Sequence, residues 1–334
     1  MLVELPSELR AEIEQRLEGI ALGDLTRAVA DLSERYRSGA RPGARVSRAP
    51  MEVLAYAVAR LPATYAALTA ALARVRRERP DWHPRTILDL GAGLGAGIWA
   101  AAATWDALVE AVAVEADPSM IDLGRSLARV SSHAVVAAAR WISGDVTRAL
   151  SLPRSDLVLM GYVLGEIEPG AIETAVQRAW DAARDTLVIV EPGTPAGYAR
   201  MIQARDKLIG AGGYVVAPCP HDAPCPMFGS DWCHFAVRLP RSRVHRLVKE
   251  AELGYEDEKF SYLAISRCPS ARPPARVVRH PLIRPGRIQL TLCTRSGIQS
   301  AVITRSDRVR FRQARKIEWG DAFEDTEGPG EENH

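Results

Sequence analysis

Several absences frame this chain of 334 residues. No apolar run reaches the roughly 18 residues that a membrane-spanning helix needs. The opening stretch MLVELPSELRAEIEQRLE is acidic and amphipathic, whereas a secretory leader is basic and then apolar. Together these lead to the expectation of a cytoplasmic chain with no membrane contact. Cysteine is missing from the first 218 residues, and all five copies (Cys219, Cys225, Cys233, Cys268 and Cys293) fall after them. None has the C-x2-C spacing of the common zinc modules, and a cytosolic chain is not expected to carry structural disulfides. Lysine is scarce: 39 of the 43 basic residues are arginine, a bias of the kind a GC-rich genome produces. With 47% hydrophobic and 25% charged side chains the composition is globular. That excludes a mainly disordered, collagen-like or disulfide-scaffold chain, and the length suggests two or three structural units.

The formal net charge of +2 conceals an uneven distribution. Residues 1–235 carry a net −4, residues 236–319 a net +12 and residues 320–334 a net −6. A segment that basic, followed by an acidic tail, points to a polyanionic partner. A solvated arginine face in an arginine-rich proteome is the plainer alternative.

Hydrophobic periodicity divides the chain. Residues 7 to 38 and 50 to 79 have apolar positions at helical spacing (Leu9, Ile13, Leu17; Val53, Ala57, Leu61, Leu68, Leu72), joined by the loop SGARPGARVSRAP. This predicts an N-terminal helical region over 1–80. From Arg85 short apolar runs (TILDL, AVAVEA, RWISGD, DLVLM, TLVIVE) alternate with helical stretches, which implies βαβ units and a mainly parallel α/β sheet over 81–270. A helix is expected at 198–209, then an irregular Cys-rich insertion at 213–235, a basic helix at 241–252 and a strand at 260–266. Strand-like runs at 287–293, 298–304 and 308–315 predict a small antiparallel unit over 271–320. The acidic tail from 321 is expected to be disordered. No internal repeat is present, and nothing requires a partner subunit.

ILDLGAGLGAG, residues 87–97, places Asp89 at the end of an apolar strand and Gly91, Gly93 and Gly95 at the mouth of a helix. Gly91, Gly93 and Ala96 also satisfy the dinucleotide pattern G-x-G-x-x-G/A. An acid just ahead of the glycines suits the cationic amino-acid part of S-adenosylmethionine and repels a pyrophosphate. Glu115 ends the second strand, where a carboxylate can accept both ribose hydroxyls, and Asp145 ends the third, within reach of an adenine amine. Capping of the following helices is the competing role for Glu115 and Asp145. Three acids at three successive strand ends favour a ligand, because open α/β sheets bind ligands at those ends.

Cys219, Cys225 and Cys233 lie within 15 residues, among prolines that stiffen the segment. A four-cysteine site accepts zinc or an iron-sulfur cluster. The irregular, all-sulfur spacing leans toward the cluster, with Cys268, Cys293, His221 or His234 as the fourth ligand. Buried cysteines without a ligand remain an alternative, as does an attacking thiol at one of the Pro-Cys pairs.

The stretches LSERYRSG, AYAVARLPATYAAL, ILDLGAGLGAGIWAA, DLVLMGYVLGEI, VIVEPGTPAGY, VAPCPHDAPCP and WCHF resemble the methyltransferase-like proteins of the mitochondrial small ribosomal subunit and their bacterial relatives. The resemblance runs from about residue 30 to 320. It implies a class I S-adenosylmethionine-dependent methyltransferase fold and a four-iron four-sulfur cluster. Carried over position by position, the ligands are Cys219, Cys225, Cys233 and Cys293, and Cys268 has no counterpart. It also implies work on the small ribosomal subunit or its rRNA.

The motif that clamps a flipped base in amine methyltransferases is replaced here by MGYVLGEI. In it Tyr162 can stack a base and Glu166 can accept a proton, or the two can serve as a cofactor lid and a helix first turn. The first expected function is that of a methyltransferase-like protein acting on small-subunit rRNA or in small-subunit assembly, although the weak motif after the fourth strand tilts toward a non-catalytic role. The alternatives are a non-catalytic, S-adenosylmethionine-binding and rRNA-binding assembly factor, or a zinc-stabilised small-molecule methyltransferase. RNA contact is expected from Arg241, Arg243, Arg246 and Lys249 on a helix. Beyond them come Arg284 and Arg287, then Arg308, Arg310 and Arg312 on one face of a strand.

Overall fold

The computed structural model describes residues 2–37, 48–148, 150–229 and 231–324. Most of the loop expected at 38–50, and the acidic tail from 325 on, lie outside the described residues.

The N-terminal region forms α1 (Ser7–Arg16), α2 (Leu22–Arg37), α3 (Pro50–Ala59) and α4 (Leu61–Glu78). Each expected long helix is two. Gly19, at φ +80°, separates the first pair, and a 46° bend separates the second, where Pro62 occupies the first turn of α4. The break follows from proline, which lacks the N–H an unbroken helix would use there. No single helix among the described residues is long and apolar enough to cross a membrane. Leu61, Ala66, Ala67, Leu72 and Val75 of α4 are fully buried, in a core shared with the sheet.

The chain then alternates β1 (Thr86–Leu90), α5 (Ala96–Thr104), β2 (Glu110–Glu115), α6 (Pro118–Arg129), α7 (Ala134–Ala137), β3 (Arg140–Ser143), β4 (Ser155–Gly161), α8 (Ile172–Ala182), β5 (Ala183–Pro192) and α9 (Pro195–Gly210). After them come β6 (Tyr214–Ala217), β7 (Phe235–Pro240), α10 (Arg243–Val248) and β8 (Tyr255–Ser266). β1 to β5 are parallel, in the order β3-β2-β1-β4-β5. β8 adds antiparallel to β5, and β6 closes that edge antiparallel to β8. The central strands are buried on both faces, as near-continuous runs such as TILDL and TLVIV require. β8 is longer than expected. Its first half pairs with β7, a strand not anticipated from the sequence.

The C-terminal unit holds β9 (Ala275–Val277), β10 (Leu282–Arg284), β11 (Arg287–Thr294), β12 (Gly297–Thr304), α11 (Arg308–Ala314) and β13 (Ala322–Phe323). Its own core contains Val277, Ile288, Leu290, Leu292, Ile303, Ala314 and Phe323. Two expectations are corrected here. The run 308–315 is a helix, because Asp307 accepts a hydrogen bond from the Arg310 N–H and caps its start. Arg308, Arg310 and Arg312 therefore do not share a strand face. Residues 321–324, placed in the disordered tail, belong to the folded body: β13 pairs with β9 and buries Phe323.

Candidate functional site

The carboxyl ends of β1, β2, β4 and β5 meet around the glycine loop. Gly91, Gly93 and Gly95 adopt φ of +71°, +55° and +87°, a backbone that only glycine takes without strain. At Gly91 a Cβ would also lie 2.5 Å from Val163 Cγ2. Gly95 is the N-cap of α5. Asp89 is buried beneath that helix start, where the nearby Gly97 and Ile98 N–H groups favour its charged form. Among the described residues its Oδ2 has no hydrogen-bond partner. Burial, then the nearby Glu115 carboxylate, pushes Asp89 up from 3.8 to about 7. A buried carboxylate with one orphaned oxygen suits a cationic group.

Glu115 organises the neighbouring turn. Its Oε2 accepts the Gly93 N–H at 2.8 Å, and its Oε1 accepts those of Ala116 and Asp117 at 2.8 and 2.9 Å. Asp145 turns to the residues just after it: Oδ1 accepts the N–H and the hydroxyl of Thr147 at 2.8 and 2.7 Å. The three acids thus stand at the same end of the sheet but are not alike, since only Asp89 keeps an unpartnered buried oxygen.

Sequence reasoning missed the elements that cover this end. Tyr56 of α3 stands over the loop, its Oη 3.6 Å from where a Gly93 Cβ would be. Arg48 donates its backbone N–H to Asp117 Oδ2 at 2.9 Å and sets its guanidinium 4.0 Å from Glu166. Tyr162, at φ +62°, donates its hydroxyl to Glu258 Oε1 at 2.7 Å, with the Arg60 guanidinium 5.9 Å from its ring centroid. Both candidate catalytic side chains therefore have protein partners. Glu191 of β5 was also overlooked, although EPGTP contains it. It is fully buried, accepts the Leu164 N–H and the Arg200 Nε–H at 2.9 Å each, and burial raises it to about 7. It holds in place the turn that carries Tyr162.

A second site lies between the sheet and the C-terminal unit. Cys219, Cys225, Cys233 and Cys293 line one cavity with Tyr198, Met227, Arg205 and Arg276. Three come from one segment, 219–233, and β11 delivers Cys293 from a segment remote in the chain. Burial raises the Cys219, Cys233 and Cys293 thiols, and the other cysteines raise them further. Arg205 and Arg276 oppose this at Cys219 and Cys293. Both arginines are buried. Arg205 donates to the carbonyls of His221 and Ala223, and Arg276 to that of Pro218 and to Glu78. Tyr198 Oη donates to Cys225 Sγ at 3.0 Å, and His221 Nε2 lies 3.7 Å from Cys293 Sγ. Cys268 is exposed and is not part of the cavity. Among the described residues no group of three or more His, Cys, Asp and Glu side chains is arranged to hold a metal ion. Four sulfurs are a donor set that zinc and iron-sulfur clusters both accept, and two buried arginines lie beside them.

The expected basic surface is only partly free. Arg241 and Lys249 both bind Glu256, and Arg238 binds Asp257. Arg310 is partly buried beside Asp307. Arg243, Arg246, Arg284, Arg287, Arg308 and Arg312 are exposed.

The strand order β3-β2-β1-β4-β5, continued by an antiparallel strand and a last edge strand, with a glycine loop after β1, defines a class I methyltransferase fold. Residues 50–324 match the family described as mitochondrial small ribosomal subunit Rsm22, and the chain belongs to that family. It is 32% identical over 289 residues to the human mitochondrial ribosome assembly protein METTL17, covering 80% of this chain and 61% of the relative. It is 24% identical to the mitochondrial Rsm22-cox11 tandem protein 2 of Schizosaccharomyces pombe, over 81% of this chain and 43% of that one. The chain thus spans less than two thirds of these relatives. Among solved structures it is similar to a putative RNA methyltransferase from Pyrococcus horikoshii, at 17% identity and a TM-score of 0.38, over 59% of this chain and 80% of that one. The cytoplasmic expectation is corrected: the family description and these curated relatives are mitochondrial, and neither composition nor the opening residues carried information on compartment.

Proposed function

We propose that this chain binds S-adenosylmethionine and small-subunit rRNA as an assembly protein of the small ribosomal subunit, and that Cys219, Cys225, Cys233 and Cys293 hold a four-iron four-sulfur cluster. The convergence of those four thiols on one cavity beneath the basic C-terminal unit carries the reading. Asp89 faces the cationic amino-acid part of the cofactor. Gly91, Gly93 and Gly95 let the backbone approach it, Glu115 lies on the ribose side, and Asp145 stands at the rim toward the adenine. The bound cofactor supplies an activated methyl group. Cys219, Cys225 and Cys233 with Cys293 would hold the cluster, which would tie the 219–233 segment to β11.

Tyr162 and Glu166 are already engaged by Glu258, Arg60 and Arg48, which favours the assembly role over methyl transfer. The exposed Arg284, Arg287, Arg308 and Arg312 offer phosphate contacts whose affinity falls with salt. The test is anaerobic purification with iron and sulfide assays, then incubation with labelled cofactor and immature small subunits. Binding of the subunit with iron and sulfide present and no methyl incorporation is expected. Methyl incorporation overturns the non-catalytic reading, and a single zinc without sulfide overturns the cluster.

A further inference from the structure

Beside the cysteine cavity, and sharing Phe235 and Tyr262 with it, runs a second crevice. One wall is α4, with Ala70, Ala73, Arg74 and Arg77. The floor is β7 and β8, and the other wall is the segment 316–321, with Lys316, Glu318, Trp319 and Asp321.

Three observations set it apart from an ordinary packing groove. The first is its aromatic lining: Phe235 lies 6.2 Å from Trp319, 6.3 Å from Phe260 and 5.4 Å from Tyr262, centroid to centroid. Trp319 is only partly buried, and His234 and His280 meet it edge-on at 4.9 and 4.5 Å. Second, two donors buried in the lining of the crevice have no acceptor. The Tyr262 hydroxyl, on a residue 4% exposed, and the Trp319 indole N–H lack hydrogen-bond partners among the described residues. Buried donors are rarely left so. Third, Arg74, Arg77 and Lys316 outnumber the two carboxylates, and Asp321 is already held by both arginines. What remains is a positive rim over an aromatic floor.

We infer that this crevice binds one unstacked nucleotide. Its base packs against the partly exposed ring of Trp319, and its phosphate meets Lys316 and Arg77. Aromatic platforms beside cationic grooves are how proteins hold single-stranded nucleic acid, and each stacked base is worth about 1–3 kcal/mol. The proposed RNA role bears only on the source of the nucleotide, a strand of RNA or a free mononucleotide. The crevice itself stands on its own geometry.

The full chain, purified anaerobically, is titrated with AMP and with a labelled eight-nucleotide oligoadenylate, read by tryptophan fluorescence and by anisotropy. Trp319→Ala should weaken oligoadenylate binding roughly tenfold or more, and Lys316→Ala should reduce the salt slope by about one. Trp319→Phe guards against misfolding. It keeps a ring and should bind between the parent and Trp319→Ala, while the AMP-dependent change in fluorescence disappears. Much tighter binding of the oligonucleotide than of AMP assigns the site to RNA, and equal binding assigns it to a free nucleotide. If the Trp319 variants bind both ligands like the parent while an Arg284→Ala and Arg287→Ala double variant weakens the oligonucleotide, the crevice site is refuted and the RNA reading survives. If the parent binds neither ligand, both fall.

Discussion

Replacing Asp89 by asparagine separates stability from ligand binding at the glycine loop. The carboxyl group is 3% exposed, has an unpartnered Oδ2 and is raised from 3.8 to about 7 by burial and by Glu115. The unfolded chain releases this proton near pH 4, whereas the folded chain holds it to about pH 7. A raised folded pKa gives stability that is complete below pH 4 and is lost as pH rises through 7. Three pH units at 1.36 kcal/mol each set the loss at about 4 kcal/mol as an upper bound. Asp89→Asn has no such loss. Its amide nitrogen takes the place of Oδ2 and lacks an acceptor, which costs about 1–3 kcal/mol at every pH. Ligand-free urea unfolding should therefore find the variant less stable at pH 4.5 and equal to or more stable than the parent at pH 8. Glu191, also raised to about 7, contributes to both proteins and cancels. Calorimetry should show cofactor affinity rising with pH through 7 in the parent, and weak, pH-independent binding in the variant. Parallel stability profiles for the two proteins would mean that burial does not raise the Asp89 carboxyl.

Cys225→Ser removes a cavity thiol and the acceptor of the Tyr198 hydroxyl. Its iron content should drop well below the parent's, whereas the exposed Cys268 can become serine without loss; full iron in Cys225→Ser would remove it from the ligand set. Arg276→Met leaves Glu78 unpaired and frees the Pro218 carbonyl. Chemical denaturation should record a loss of about 3–5 kcal/mol, and a change below about 1 kcal/mol would mean that this buried pair does not hold the C-terminal unit in place. Gly91→Ala meets both a positive φ and Val163, whereas Gly19→Ala meets a positive φ with nothing within 4 Å. The first should cost more than the roughly 1 kcal/mol of the second, and equal thermal shifts would show that the Val163 contact yields freely.

The sheet was legible because its strands are buried on both faces and so appear as short apolar runs, from TILDL to TLVIVE. The glycine loop was legible because positive φ leaves few residue choices. Elsewhere local pattern misled. Arg308, Arg310 and Arg312 alternate as in a strand, but the Asp307 cap and the burial of Ala314 against the small sheet make a helix. Phe323 lies among acidic residues and looks like tail, yet it fills the core of the C-terminal unit. β7 has an alternating pattern that becomes meaningful only beside the long β8.

The sequence alone set out the alternation of β1 to β5 with their helices, the glycine loop with Asp89 and Glu115, and the four cysteines worth watching, because backbone conformation and thiol chemistry are properties of the residues themselves. It had no means of deciding which charges are free. Only the tertiary structure paired Arg241 and Lys249 with Glu256, buried Arg205 and Arg276 beside the thiols and tied Tyr162 to Glu258. It alone brought Cys293 to a cavity formed about 60 to 74 residues upstream. Those outcomes depend on distances through space between segments remote in the chain, and burial, which sets both the pKa of an acid and the reach of a cation, has no local signature.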